Sequence, residues 1–189
     1  MKGYKNIAQK LHHFSLKYYT NELIKGSILF LSLGFLYLLF TLFLEYFLWL
    51  KPTSRTFLFW LFIVVELFLF FKFIVFPVFK LIGFRKGITL QESSKIIGNH
   101  FPEVQDKLLN ILQLKDAADA SDLILASIDQ KSNELAPISF VKAIDFKKNK
   151  KYLKFAIIPV IIWLISFFTG FDGLLTQSLK RVVNHRTAY

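Results

Sequence analysis

Three long uncharged stretches alternate with polar ones along the chain. The first runs from Gly26 to Leu44 without a charge and stays apolar through Leu50 apart from Glu45. The second, Thr56 to about Phe79, is interrupted by Glu66 and Lys72, and the third, Tyr152 to Phe171, carries Lys154 at its edge and Pro159 inside. About 20 helical residues cross a bilayer's hydrocarbon core, so each stretch predicts a transmembrane helix: 26–50, 56–79 and 152–171. Lys51-Pro52-Thr53-Ser54-Arg55 is a short polar turn, which makes the first two spans an antiparallel hairpin. Glu45, Tyr46 and Trp49 fall where an interfacial belt belongs. Pro159 is expected to kink or loosen its helix, which membrane helices tolerate. The first stretch exceeds the 7–15 apolar residues typical of a signal peptide, and no small-residue cleavage site follows it.

The polar segments read as helices too. Tyr4, Ile7, Leu11, Phe14 and Tyr18 recur at spacings of three and four, which gives residues 1–25 one apolar stripe. Lys5, Lys10 and Lys17 lie beside or away from that stripe. Such a helix suits an anionic membrane surface, or else packs on the middle of the chain. In that middle segment, Thr89-Leu90-Gln91-Glu92 fits a capping box, starting a helix that reaches about Asn99. Pro102 suits a first helical position, and Val104, Leu108, Ile111 and Leu112 line one face of the helix after it. Ala117 to Ser121 reads as a loop. Ser121 or Asp122 caps a third helix, which presents Ile124, Ile128 and Leu135 and ends before Pro137. Three short amphipathic helices form a bundle too small to be secure alone.

Composition agrees with a membrane protein: 189 residues, 54% hydrophobic, 23 Phe, and a mean hydropathy of +0.45. No Cys is present, which excludes disulfides, thiolate metal sites and thiol nucleophiles. The net charge of +11 would admit nucleic acid, but the charges flank the apolar stretches, and that favours a role in membrane orientation. Residues 1–25 hold five Lys, and residues 80–151 hold twelve Lys plus Arg, against two in the turn and three after Phe171. The positive-inside rule then puts the N-terminus and residues 80–151 in the cytoplasm, with the hairpin turn and the C-terminus outside. Arg85 and Lys86 at one end of the middle segment, and Lys147, Lys148, Lys150 and Lys151 at the other, are assigned to lipid headgroups and topology rather than to nucleic acid.

Candidate chemistry is sparse. Phosphate loops, nucleophile elbows and His-Glu-x-x-His are absent from the sequence. His12 and His13 are adjacent, and so point apart on a helix. His100 near Glu103 and Asp106 reads as structural. No metal, cofactor, catalytic residue or small-molecule substrate is expected. Glu66 is the exception: counted from Thr56 it lies about 15 Å deep, where an ionisable group is a functional-site candidate. The hairpin is expected to set Tyr37 to Thr41 opposite it, with Tyr37 or Thr41 as hydrogen-bond partner.

Three runs carry a resemblance: Ile96-Ile97-Gly98-Asn99-His100-Phe101-Pro102-Glu103-Val104-Gln105-Asp106-Lys107-Leu108-Leu109-Asn110, Leu125-Ala126-Ser127-Ile128-Asp129-Gln130-Lys131, and Asp145 through Lys154. Together they make the chain similar to the N-terminal region of a family of very large inner-membrane proteins of Bacteroidota, a domain of unknown function sometimes loosely labelled an ATPase. The resemblance implies three N-terminal spans followed by a long periplasmic region, which residues 172–189 would begin. It implies no catalytic residues, and the ATPase label finds no phosphate loop. The expected architecture is an all-α membrane protein: an amphipathic helix at 1–25, a hairpin at 26–79, a cytoplasmic helical domain at 80–151 and a third span. The expected role is a non-enzymatic anchor or scaffold in the bacterial inner membrane, with the lipid bilayer and other subunits of a complex as partners. The alternative is a subunit of an ion-driven transport or motor complex that uses Glu66 as proton carrier.

Overall fold

A computed structural model describes residues 2–84, 87–116, 122–170 and 172–187. Arg85 and Lys86, the loop at 117–121 with its candidate cap Ser121, and Phe171 lie outside the described residues. Those described are all-helical, without a strand. Helix α1 runs unbroken from Lys2 to Leu48. Helix α2 (Pro52–Phe70) passes through a π turn, Phe71–Val75, into α3 (Phe76–Leu81). Then follow α4 (Leu90–His100), α5 (Pro102–Asp116), α6 (Asp122–Leu135), two short 3₁₀ turns, α7 (Lys150–Phe168) and α8 (Asp172–Val183). Three of the helical stretches are long and apolar enough to cross a membrane. The chain divides into two compact units, Met1–Glu22 with Val78–Phe146 and Leu23–Pro77 with Lys147–Tyr189.

The first unit is built on the N-terminal stripe. Ile7, Leu11 and Phe14 are buried in one core with Ile97 of α4, Val104, Leu108, Ile111 and Leu112 of α5, and Ile128 and Leu135 of α6. Of the two readings of this stripe, packing on the middle of the chain is the one realised, because the apolar faces of α4, α5 and α6 need a fourth face to close on. The lysines follow the same logic. Lys10 donates from Nζ to the carbonyl oxygens of Leu135 (3.4 Å), Ala136 and Ile138 (3.0 Å). Two turns on, Lys17 donates to Val141 O at 2.8 Å and sits over the Phe146 ring. The last carbonyls of a helix have no partner within it and carry its negative end, so an ammonium there satisfies both. Neither lysine is therefore free for a lipid surface, unlike the exposed Lys5.

Local signals in this unit act as chemistry dictates. Thr89 accepts from the Glu92 amide while the Glu92 carboxylate accepts from the Thr89 amide, so two orphan donors of α4 are satisfied reciprocally. Those bonds from Thr89 hold the Glu92 carboxyl below the usual carboxylate range. At the end of α3, Phe84 N bonds Phe79 O and Gly83 N bonds Lys80 O, with Gly83 at φ 77°. This left-handed glycine cap stops the helix. The buried Tyr19 hydroxyl accepts from the Ile88 amide, tying the α1 face to the chain leaving that cap.

Replacing Lys10 by Met keeps the packing stem but leaves three carbonyls at the end of α6 without their cation. Thermal unfolding in mild detergent should show a loss of about 1–3 kcal/mol, whereas the same change at Lys5 should register no loss.

Candidate functional sites in the apolar unit

The second unit is organised by the pairing of α1 with α2. Phe30 packs edge-on against Phe70 at 5.8 Å, Gly34 faces Glu66, and Tyr37 stacks on Phe62 at 5.8 Å and 12°. Gly26 faces Phe73. The two numbers of each pair add to about 100, so the helices are antiparallel with their axis of symmetry near Leu50. The turn is tighter than the polar run suggests, because Pro52 already occupies the first turn of α2. Proline at that position loses no hydrogen bond and its φ is preset for helix. Trp49 takes up the reversal with φ 42°, a conformation costly for any residue bearing a Cβ.

This register corrects the expected surroundings of Glu66. Taking α2 to begin at Thr56 placed Tyr37 to Thr41 opposite it, whereas a start at Pro52 moves the opposing residue about one turn back, to Gly34. Thr41 is buried and donates to the Tyr37 carbonyl at 2.9 Å. No hydrogen bond joins Tyr37 or Thr41 to Glu66 among the described residues, and Glu66 Oε1 is buried without a partner. A Cβ on Gly34 would lie 2.8 Å from Oε2 and 3.2 Å from Oε1, so the carboxyl occupies the space that a side chain there would fill. It opens into a groove of about 510 Å³ whose other lining side chains are Phe30, Leu31, Phe35, Leu38 and Phe62. The hydroxyls of Ser27, Ser32, Thr41, Thr56 and Ser166 each donate to the carbonyl four residues back. Glu66 has no such local solution.

Gly26 serves a different need. Pro77 lacks an N–H, and its ring crowds the carbonyl four residues earlier, which is that of Phe73. The π turn Phe71–Val75 sits at this point and re-spaces the helix. A Cβ on Gly26 would overlap the Phe73 oxygen, so only glycine lets α1 approach so closely. Lys72 in that turn lies over the rings of Phe68 and Phe73.

A second polar site lies at the hairpin turn, where Glu45 is fully buried rather than interfacial. Its Oε1 lies 3.2 Å from Arg55 Nε and 3.2 Å from Arg181 Nε, with both arginine side chains at least nine-tenths buried. Arg55 also donates to Leu50 O (2.8 Å) and Thr187 O (2.9 Å), and the Arg181 guanidinium lies 4.4 Å from the Trp49 ring centre. Leu175 and Val182 of α8 pack there with Leu39 and Leu42 of α1. Residues 172–183, expected to begin a periplasmic region, thus form a helix fastened onto the hairpin. Sequence reasoning missed this cluster. Its signal is the α8 stripe Leu175, Ser178, Val182, with Arg181 alongside it: a cation on an apolar face demands an anion.

The remaining expected residues stay apart. Lys147 and Lys148 lie in the 3₁₀ turn before α7, Lys150 and Lys151 open α7, and all four are exposed. Helix α7 continues through the buried Pro159. Among the described residues no group of three His, Asp or Glu is placed to hold a metal, and His100 packs edge-on against Phe101. Comparisons with known protein families, curated proteins and solved structures find no match.

Replacing Glu45 by Leu removes the carboxylate that two buried guanidiniums share and should cost about 3–5 kcal/mol. Arg181→Leu should cost less, because the carboxylate keeps Arg55. Unfolding in detergent measures both, and amide exchange in α8 should rise in each. Equal costs would mean that the carboxylate is not the hub.

Proposed function

We propose that this chain is a membrane anchor and scaffold: the membrane-embedded portion of a larger bacterial inner-membrane envelope protein, with no reaction of its own. One observation carries the reading. Of the apolar stretch of the 52–81 helix only 6% is buried, and of that leading into and through α7 only 11%. Phe57, Trp60, Val64 and Phe68 on the first, and Ile157, Ile161, Ile165 and Phe168 on the second, are all exposed. A protein in water rarely exposes a contiguous apolar patch above a few hundred Å², whereas hydrocarbon solvates such a surface without penalty. The lysines of residues 1–25 and 80–151 favour placing the first unit in the cytoplasm as a docking bundle, with the hairpin turn and α8 on the periplasmic side. The resemblance to the Bacteroidota family points to the same membrane and to a periplasmic region that the anchor holds.

The absence of cysteine makes the topology directly testable. Single cysteines at Ser54 and Gln177 should react with an impermeant maleimide added to spheroplasts, and one at Asn110 only after lysis. The chain should stay in the pellet on alkaline carbonate extraction. Release by carbonate would overturn the reading, and the reverse labelling pattern would overturn its orientation.

A second reading is favoured by the unpartnered Glu66 carboxyl: an ion-driven complex in which Glu66 carries the proton. Glu66→Gln separates the two. An anchor keeps its cellular function with Gln, while a proton carrier loses function with its assembly intact.

A further inference from the structure

The first unit holds a cavity of about 670 Å³ between one face of α1 and the chain around the glycine cap of α3. His12, Ser15 and Tyr19, about one turn apart in succession, line it from α1. Lys80, in the last turn of α3, lines it from the other side together with Ile82 and Phe84. Its polar groups are only partly used. Of the five Ser and Thr hydroxyls of α1, those of Thr20, Ser27, Ser32 and Thr41 donate to the carbonyl four residues back, whereas Ser15 forms no such bond. Tyr19 accepts from the Ile88 amide, which leaves its own hydroxyl proton to donate. The Lys80 ammonium lies 5.8 Å from the Tyr19 ring centre and forms no ion pair among the described residues. Glu92 feels that charge, but its carboxylate is taken by the Thr89 amide. Arg85 and Lys86 follow Phe84 in the sequence, so the run from Lys80 to Gly87 is basic and holds no acid.

The apolar side of the cavity selects among anions. Phe79, Ile82 and Phe84 are the only exposed large hydrophobic side chains of this unit among the described residues, and Phe84 is 82% exposed. All three stand where the apolar stretch Pro52–Leu81 ends. We propose that this cavity binds the headgroup of an anionic phospholipid: Lys80, Ser15, Tyr19 and His12 meet the phosphate, and the acyl chains cover Ile82 and Phe84. The inference rests on the membrane reading above and names a lipid class for it. A soluble phosphate ester would meet the same donors but leave the two apolar side chains in water. A zwitterionic lipid would bring a cation of its own to a basic segment. Lys80 sits at the level where a span leaves the hydrocarbon, which is that of the phosphates, and a hydrogen bond between two charged groups is stronger than a neutral one.

The test uses the full chain in mild detergent, with bound lipids counted by native mass spectrometry during titration. The probes are dioleoyl phosphatidylglycerol, dioleoyl phosphatidylcholine and glycerol 3-phosphate. One phosphatidylglycerol should bind about tenfold more tightly than phosphatidylcholine, the scale of one charged hydrogen bond. Lys80→Gln should remove that preference and Ser15→Ala should reduce it about threefold. The double change Lys150→Gln and Lys151→Gln, among the exposed lysines before α7, should leave it intact. Phe84→Ser should weaken the lipid and not the soluble ester. Helicity by circular dichroism checks that every variant folds. Equal binding of the two lipids overturns the proposal. So does a preference that survives Lys80→Gln combined with Ser15→Ala, or one that falls equally with the Lys150 and Lys151 pair. Glycerol 3-phosphate bound as tightly as phosphatidylglycerol overturns it in favour of a soluble phosphate ester. Carbonate release of the wild-type chain would overturn the membrane reading and this inference together. An integral chain without the lipid preference overturns the inference alone.

Discussion

The antiparallel pairing of α1 with α2 sets the place of nearly every polar group in the apolar unit. Two local facts fix its register. Pro52 starts α2 within three residues of the end of α1, so the reversal is confined to Trp49, Leu50 and Lys51. Gly26 and Gly34, eight residues apart on α1, then let the backbones approach where α2 presents the Phe73 carbonyl and the Glu66 carboxyl. Bulk at either glycine would push the helices apart and change what each polar atom meets. Proline and glycine, which disfavour helix in water, here make one helix start sharply and another pack closely.

Once that register is set, the two carboxylates of the unit meet opposite fates. Glu45 falls near the turn, where Arg55 follows in the next helix and Arg181 returns in α8, so its charge is matched twice over. Burying three charges is costly, and such clusters add less stability than apolar packing of the same volume. What the cluster does is specify. An α8 docked one turn out of place would strand a guanidinium among Leu39, Leu42 and Leu175. Glu66 falls sixteen residues from the axis of symmetry, with no ion pair among the described residues, and faces Gly34 and walls of Phe and Leu side chains. The same residue type is a fastening in one place and an unmet demand in the other.

How much of this was legible in the chain depended on the range of the interaction. The Thr89–Glu92 box, the Pro102 start and the apolar face from Val104 to Leu112 are short-range patterns, and each stands where its spacing implies. The three long apolar helices are equally plain from their length. The register of the hairpin was misjudged by about one turn, because the polar run to Arg55 looks like loop while Pro52 and its neighbours are already helical. In the sequence Lys10 and Lys17 stay between two readings, Glu45 falls in the interfacial belt and Arg181 is only counted as a charge, for a different reason. Lys10, Lys17 and Arg181 each meet a partner more than a hundred residues away, at the end of α6, in the chain after it, or across α1 and α8. A lysine beside an apolar stripe looks the same whether lipid phosphate or a helix terminus receives it.

That ambiguity bears on reading charge in membrane chains generally. The Lys and Arg count that argues for orientation treats each basic residue as equivalent, yet Lys10, Lys17, Arg55 and Arg181 are all committed to acceptors inside the protein. Setting them aside leaves the argument standing, because two leave the side taken as cytoplasmic and two leave the other. The four exposed lysines from Lys147 to Lys151, directly before α7, then carry the greatest weight, since among the described residues no acceptor meets the ammonium groups of Lys148 and Lys150, and that of Lys151 lies over the Tyr152 ring. Orientation thus rests on fewer residues than the composition suggests, and on those that the fold leaves exposed.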